Sequence, residues 1–329
     1  MTDLLHRLRA SFGRPFDLLG LGECSLDFLY RVPLALSQPL PDKASALGQE
    51  VLGGGQIATA CAAAARLGLR ARFVGAVGDD DAGAALRSEL AREPVDTSRM
   101  KTCSRCQTRT ALILLGQSGE RSVIEWRDPA LTLPIETLSA QDVAEARMLH
   151  VDLSFPSASL WAAEQARAHG LIVSVDLDRP APHCAELLRL TDLCVVSEHF
   201  PARFTHKTDP EQAALALSHA TPGQVIVTQG DRGCWLVDGP HIRRFPAFAP
   251  PQLLDTTACG DTFHAALLAA LLTSADQPAP VSLDHALPSA IRFASAAAAL
   301  KCADLGRRGC PSRAQVDRFL HDAPPELTV

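Results

Sequence analysis

The stretch that decides the fold runs from Leu253 to Leu272, "LLDTTACGDTFHAALLAALL". Its second half, "TFHAALLAALL", is rich in strong helix formers and holds neither Pro nor Gly, so it predicts a helix. "TACG" then stands at that helix's N-terminus. There the first N–H groups lack intrahelical acceptors and the macrodipole is positive. Small residues let a phosphate approach those donors. The competing reading is an ordinary N-cap, which contributes about 0.5–2 kcal/mol. A cap needs one Asp or Thr. It leaves Asp255, Thr256 and Thr257 unexplained, and Gly260 beside Asp261 as well. A carboxylate at the edge of an anion hole suits phosphoryl transfer: the hole stabilises the moving phosphate and the carboxylate accepts the acceptor hydroxyl's proton. The helix dipole predicts that Asp261 is ionised at neutral pH and a weak base, with positioning and electrostatics supplying most of the acceleration.

Upstream of this stretch, strand and helix patterns alternate. Strands are expected at "FDLLGL", Leu149–Leu153, "LIVSVDLD", "DLCVVS" and "QVIVTQG", the last followed by a hairpin partner "GCWLVDG". Helices are expected at Ile57–Leu67, Leu160–His169, Ala185–Leu190 and Pro210–His219, and two more, Ala286–Leu300 and Arg313–Phe319, close the chain. That rhythm is the mark of βα units on a largely parallel sheet. "TRTALILLGQSGERSVIEWR" reads as a separate hairpin turning around Gly116–Gly119. The triple glycine of "VLGGGQIATACAAAARLGLRARFVGAVGDDDAG" admits two readings, close helix–sheet packing or a wall against which a ligand lies. Gly20-Leu21-Gly22 resembles the start of a dinucleotide fingerprint, but Ser25 holds the third glycine position and strand-like residues follow where a helix is required.

The 329 residues are 47% hydrophobic, enough for a sizeable core, and the net charge of −6 argues against a nucleic-acid or anionic-membrane partner. No apolar run reaches the roughly 20 residues of a membrane span. The N-terminus "MTDLLHRLRASFGRPF" is mixed and charged, unlike a secretion signal, so a cytoplasmic protein with reduced thiols is expected. Cys103 and Cys106 form a lone CxxC without the partners of a four-ligand zinc site. Residues 1–15 read as an N-terminal extension, a surface-packed helix or a frayed end, and 321–329 as a C-terminal tail.

These residues carry a resemblance. "DTTACGDTFHAALL" resembles the second signature of the ribokinase-like (PfkB) carbohydrate kinases, usually written DTxGAGD. "GGGQIATACAAAARLGLRARFVGAVGDDDAG" resembles the first, "VIVTQGDRGCWLV" the nucleotide-side turn, and "TALILLGQSGERSV" the hairpin over the sugar. The resemblance covers about residues 16–320. It implies an α/β, ribokinase-like fold: a central, mainly parallel β-sheet flanked by helices, with a small β-sheet lid from segments near 28–48 and 108–127. It implies transfer of the γ-phosphate of ATP, with Mg²⁺, to a sugar hydroxyl, and a homodimer joined through the lid. Asp261 falls on the catalytic base, and Ala258, Cys259 and Gly260 on the anion hole. Asp27, Gly54, Gly55 and Gln56 fall on the sugar side, Thr228 and Gly230 on the nucleotide side. Asp255 and Thr257 fall where the family often binds a monovalent cation, usually K⁺, with further ligands expected near Gly306–Cys310.

Three departures from the family pattern stand out. Ala258-Cys259 replaces Gly-Ala, so glycine's freedom is lost in the anion hole. Ser197 and Phe200 replace the Asn and Glu of an Asn-x-x-Glu motif linked to Mg²⁺ and phosphate, leaving Glu198 and His199 nearby. Thr59 replaces a sugar-contacting Asn. "VSE" and "VDLDRP" resemble the ketohexokinase and sulfofructose kinase branch, which implies a ketose. Arg109 and Arg127 are candidates to meet an anionic substituent, with exposed arginines the plainer reading. Alternatives are a nucleoside kinase of the same fold, which the 5% aromatic content and single tyrosine disfavour, and a sugar-binding protein that has lost catalysis. Cys259, at a helix N-terminus, is either a reactive thiol of lowered pKa or a small residue chosen for size.

Overall fold

The computed structural model describes residues 4–37, 41–117 and 119–322. Among them, the larger sheet runs in the order His241–Phe245, Cys234–Asp238, Gln224–Thr228, Leu193–Ser197, Ile172–Leu177, Ala146–Val151, Phe16–Leu21, Ala71–Val74 and Val95–Asp96. The two pairings at the His241 edge are antiparallel and all others are parallel. The strands Ala146–Val151 and Ile172–Leu177 are buried throughout, as a parallel sheet covered on both faces requires. Successive side chains divide between the two layers. Leu18 joins the core under helices Leu4–Ala10, Gln56–Arg66, Cys259–Ala275 and Leu283–Lys301. Leu19 and Leu21 join the core under Pro156–Ala168, Cys184–Leu190 and Pro210–Ser218.

Gly20 shows how closely one layer sits. A Cβ there would lie 2.3 Å from Cys61 Sγ and 2.8 Å from Ile57 Cγ2, so the glycine lets the Gln56–Arg66 helix rest on the strand. The "GLG" is packing, and the strand Ser25–Arg31 follows it. The N-terminal residues Leu4–Ala10 form a helix that buries Leu4, Leu5 and Leu8, and Arg9 Nε donates to Ala275 O at 3.0 Å.

A smaller sheet has the order Gly48–Gly54, Ser25–Arg31, Thr110–Leu115, Arg121–Trp126. The last two strands are the antiparallel hairpin, with residue 118 of its turn outside the described residues. One face buries Leu29, Leu52, Ala111, Ile113 and Leu115 against Leu305. The opposite side exposes Val51, Leu112, Ile124 and Trp126, each by 36–64%.

Several elements differ from expectation. Gly53 and Gly54 belong to the strand Gly48–Gly54, for which no strand was expected. The penultimate helix starts at Leu283, before Pro288, because other contacts outweigh the one backbone bond that Pro removes. The helix His199–Thr205 has too few residues to show a period. Cys103 and Cys106 are joined as a disulfide, not reduced. Residues 1–3, 38–40 and 323–329, which include parts of the expected extension, lid and tail, lie outside the described residues.

Candidate active site

Five parallel strands end at Leu21, Val151, Leu177, Ser197 and Thr228. Polar residues follow each: Glu23, Asp152, Asp178, Glu198 and Gln229. Phe16–Leu21 is the switch point, since the chain departs from it to Ala71–Val74 on one side and returns to Ala146–Val151 on the other. In open α/β sheets this crevice, beyond the carboxyl ends of the strands, is where ligands bind. The Cys259–Ala275 helix opens at the same edge, close enough for Asp261 to feel the charges of Asp176, Asp178 and Glu23.

The helix begins in an unusual way. Ala258 is left-handed, with φ 66° and ψ 5°, a conformation costing a non-glycine residue roughly 1–2 kcal/mol. Its carbonyl accepts from Thr262 N at 3.0 Å and from Thr262 Oγ1 at 2.7 Å, which closes the first turn. The amides of Gly260 and Asp261 precede that bond and have no intrahelical acceptor. The space beside Gly260 is open, with no atom within 4 Å of where a Cβ would stand. The positive end of the helix is thus open beside Gly260.

Asp261 departs from the sequence expectation. Burial first, then the charges of Asp176 and Asp178, push its carboxyl well above the usual range, with Arg121 opposing. Desolvation and like charge outweigh the helix dipole. Asp176 is pushed up in the same way, by burial and by Asp178 and Glu23. Beneath them, His264 lies one turn beyond Asp261 with Nε2 3.4 Å from Asp176 Oδ1. His150 Nδ1 meets Ser174 Oγ at 3.2 Å, and its ring centroid is 5.1 Å from that of His264. Burial holds both imidazoles neutral, with His264 lowered to about 4. One ligand atom each from His150, Asp176 and His264 falls within 4.8 Å of the others. His150 Nε2 and His264 Nδ1 have no hydrogen-bond partner among the described residues.

On the smaller sheet, buried Asp27 accepts from Ser25 Oγ at 2.7 Å. It lies against Gly54, where a Cβ would stand 2.0 Å from Asp27 Oδ2. Gly55 has φ 87° and packs on the backbone of Glu23 and Cys24. The glycine run is thus a close approach, shaped around a carboxylate. Gln56 Nε2 donates to Asp178 Oδ2 at 3.0 Å, and Thr59 is buried. Arg109 is no free anion receptor: its Nε is 3.0 Å from Glu23 Oε2 and its Nη2 2.6 Å from Glu125 Oε2. Arg127 stacks on Phe155 at 4.5 Å. Glu23 is pushed to about 7 and Asp152 to about 6, burial being the largest cause in each.

On the other flank, Thr228 ends its strand and Gly230, with φ 61°, opens an exposed turn. Glu198 N donates to Thr228 O at 3.0 Å, and the Glu198 carboxylate pairs with Arg232. Phe200 is fully buried and stacks on Phe204, so its side chain belongs to the core. Asp255 is fully buried. Its Oδ1 accepts from Thr257 N at 2.7 Å, its Oδ2 from Gly306 N at 2.7 Å, and Lys301 Nζ reaches Oδ2 at 3.5 Å. An ammonium thus stands beside Asp255, where the resemblance implies a monovalent cation. Thr257 Oγ1 is buried with no partner among the described residues.

Of the two readings of Cys259, the geometry speaks against a thiol of lowered pKa. Cys259 Sγ is 3.4 Å from Cys302 Sγ. The Cys259 thiol is held well above the usual range by that hydrogen bond and by burial. The hydrogen bond from Cys259, with burial opposing and Lys301 assisting, brings Cys302 down to about 7.

Sequence reading missed Asp176, Asp178, Glu23, Arg121 and Lys301. Some signals were present. Alternation along "VDLD" sets Asp176 and Asp178 on one face of a strand, and Lys301 is a single charge at the end of the apolar run "ASAAAALK". Arg121 offers no such signal, since its nearness to Asp261 depends on where the hairpin folds over.

The model of the pfkB family of carbohydrate kinases matches residues 18–313. A ribokinase of Haemophilus influenzae is 28% identical over 315 residues, covering 92% of this chain and 98% of its own. Fructokinase-1 of Zea mays is 27% identical over 327 residues, covering 93% and 98%. The structure of Arabidopsis thaliana ribokinase complexed with ribose and ATP superposes with a TM-score of 0.77 at 23% identity, over 94% of this chain and 99% of that one, a likeness of fold.

Proposed function

Because the chain belongs to the pfkB family of carbohydrate kinases, we propose that it transfers the γ-phosphate of ATP to a hydroxyl of a ketose, with Asp261 as the base. The observation that carries this reading is the position of Asp261, at the edge of an open helix N-terminus in the crevice beyond the strands.

Asp261 takes the proton of the attacking hydroxyl. Its raised pKa makes it a better base than an exposed aspartate, provided it is deprotonated first. The amides of Gly260 and Asp261 face the charge that grows on the transferring phosphate, while Cys259 N is bonded to Thr256 O at 3.4 Å. Arg121 adds positive charge from the hairpin. Asp27, fixed by Ser25, accepts from sugar hydroxyls, and Gly54, Gly55 and Gln56 shape the wall beside it. Thr228 and Gly230 border the nucleotide. The carboxylates of Glu23, Asp176 and Asp178 are hard oxygen donors of the kind Mg²⁺ takes. Mg²⁺ bound with the nucleotide supplies neutralisation of phosphate charge.

The ketose reading rests on the "VSE" and "VDLDRP" segments and on the likeness to a fructokinase. The smaller sheet acts as a lid, and the exposed Val51, Leu112, Ile124 and Trp126 on one of its faces support a homodimer joined through it. Among the described residues no helix is long and apolar enough to cross a membrane, and dependence on ATP favours the cytoplasm.

The test is ADP release from ATP and Mg²⁺ with a panel of ketoses, aldoses and nucleosides. Turnover highest with a ketose supports the reading. Turnover confined to an aldose or a nucleoside replaces the substrate, and tight sugar binding with no ADP release with any of them overturns catalysis.

A further inference from the structure

Lys301 is the last residue of the Leu283–Lys301 helix and is fully buried. A buried ammonium is costly unless its three donors find acceptors. Here they do. Nζ donates to Asp255 O at 2.9 Å and to Asp304 O at 3.1 Å, and lies 3.5 Å from Asp255 Oδ2. These are one carboxylate and two main-chain carbonyls, the hard oxygen set that otherwise holds a metal cation. The carbonyl end of a helix also favours a positive charge. The next residue completes the grip: Cys302 O accepts from Leu254 N at 2.8 Å and from Asp255 N at 3.2 Å. The segment held in this way leads, three residues later, into left-handed Ala258 and the helix N-terminus.

We propose that the Lys301 ammonium is a built-in replacement for the monovalent cation at Asp255, so that the protein neither binds nor needs potassium there. Lys301 is a positioning residue: it neutralises Asp255 and fixes the approach to the anion hole without touching substrate. The effect on rate rests on the kinase reading above; the effect on cation binding does not. Any added cation at Asp255 would stand beside a like charge and compete for oxygens already hydrogen-bonded.

Two readouts test this on the full chain. Thermal midpoints are compared in potassium chloride and tetramethylammonium chloride at equal ionic strength. The wild type is expected to show no potassium-specific rise. Lys301→Met, which keeps the stem and removes the charge, is expected to melt lower and to regain stability as potassium is added, since a ligand that binds only the folded state raises the midpoint. ADP release is then measured in the same salts. Wild-type kcat is expected to agree within about twofold. Lys301→Met is expected to lose about tenfold or more without potassium and to recover part of it with potassium, the pattern of a broken buried pair. A saturable potassium-specific rise in the wild-type midpoint, or stimulation of wild-type kcat by about tenfold, overturns the proposal. So does a Lys301→Met protein as stable and active as wild type without potassium. If that variant does not fold, the wild-type salt comparison decides alone. If no sugar is phosphorylated in any salt, the kinase reading fails and the melting comparison still decides the cation question.

Discussion

Gly54→Ala isolates the assignment of the sugar side. The backbone of Gly54 is not left-handed, so alanine fits its conformation; the conflict is with one neighbour. The new Cβ would stand 2.0 Å from Asp27 Oδ2, 2.6 Å from Cγ and 2.9 Å from Oδ1. All three atoms belong to the Asp27 carboxylate, so that group must turn away from its bond to Ser25 Oγ. A hydrogen bond to a charged group contributes about 1.5–3 kcal/mol. Losing one such bond to a sugar hydroxyl lowers kcat/KM for the sugar by about 10- to 150-fold. The KM for ATP should not change, because nothing on the nucleotide flank moves. Steady-state kinetics with each substrate varied in turn gives both numbers. In an Asp27→Ala background the same glycine substitution should cost little, since its target is gone. Equal losses in both backgrounds, or a rise in KM for ATP matching that for the sugar, would refute the reasoning.

Further outcomes follow from the same geometry. Ala258→Gly relieves the left-handed strain of about 1 kcal/mol and should raise the melting midpoint by about 1 °C for a chain of this size, less what glycine adds to the unfolded state; a lower midpoint would mean that the alanine Cβ packs to some benefit. Absorbance of thiolate at 240 nm should rise through about pH 7 in the wild type, and Cys302→Ser should remove that step; a step that persists would assign it elsewhere. Glu23 is raised from 4.5 to about 7 on folding, so the folded state binds its proton more tightly. That contribution to stability is full below about pH 4.5 and is lost as pH rises through about 7. Glu23→Gln should flatten the melting midpoint across this window, and an unchanged slope would exclude Glu23 as its source.

Much of this molecule is legible in the chain because its signals are local. The strands "LIVSVDLD" and "QVIVTQG" are buried on both faces and read as apolar runs. The helix after Asp261 announces itself by composition, and its N-terminus by the small residues before it. Charge neighbourhoods are not local. Asp261 was expected to be ionised from its helix alone, yet Asp176 and Asp178 arrive from a strand some eighty residues earlier and reverse the direction. Asp255 looked open to a cation until the end of another helix placed Lys301 on it. Arg109 looked available until Glu23 and Glu125 closed around it. Residue type and spacing indicate what a group can do; the partners that set its charge come from distant segments.

The central claim is that Asp261 removes the proton of the attacking hydroxyl. Asp261→Asn keeps the shape of the side chain and abolishes its basicity. With ATP, Mg²⁺ and the best sugar of the panel, its kcat should fall by about 10²- to 10⁴-fold, with nucleotide affinity and melting midpoint close to those of the wild type. Turnover within a few-fold of wild type would contradict the account.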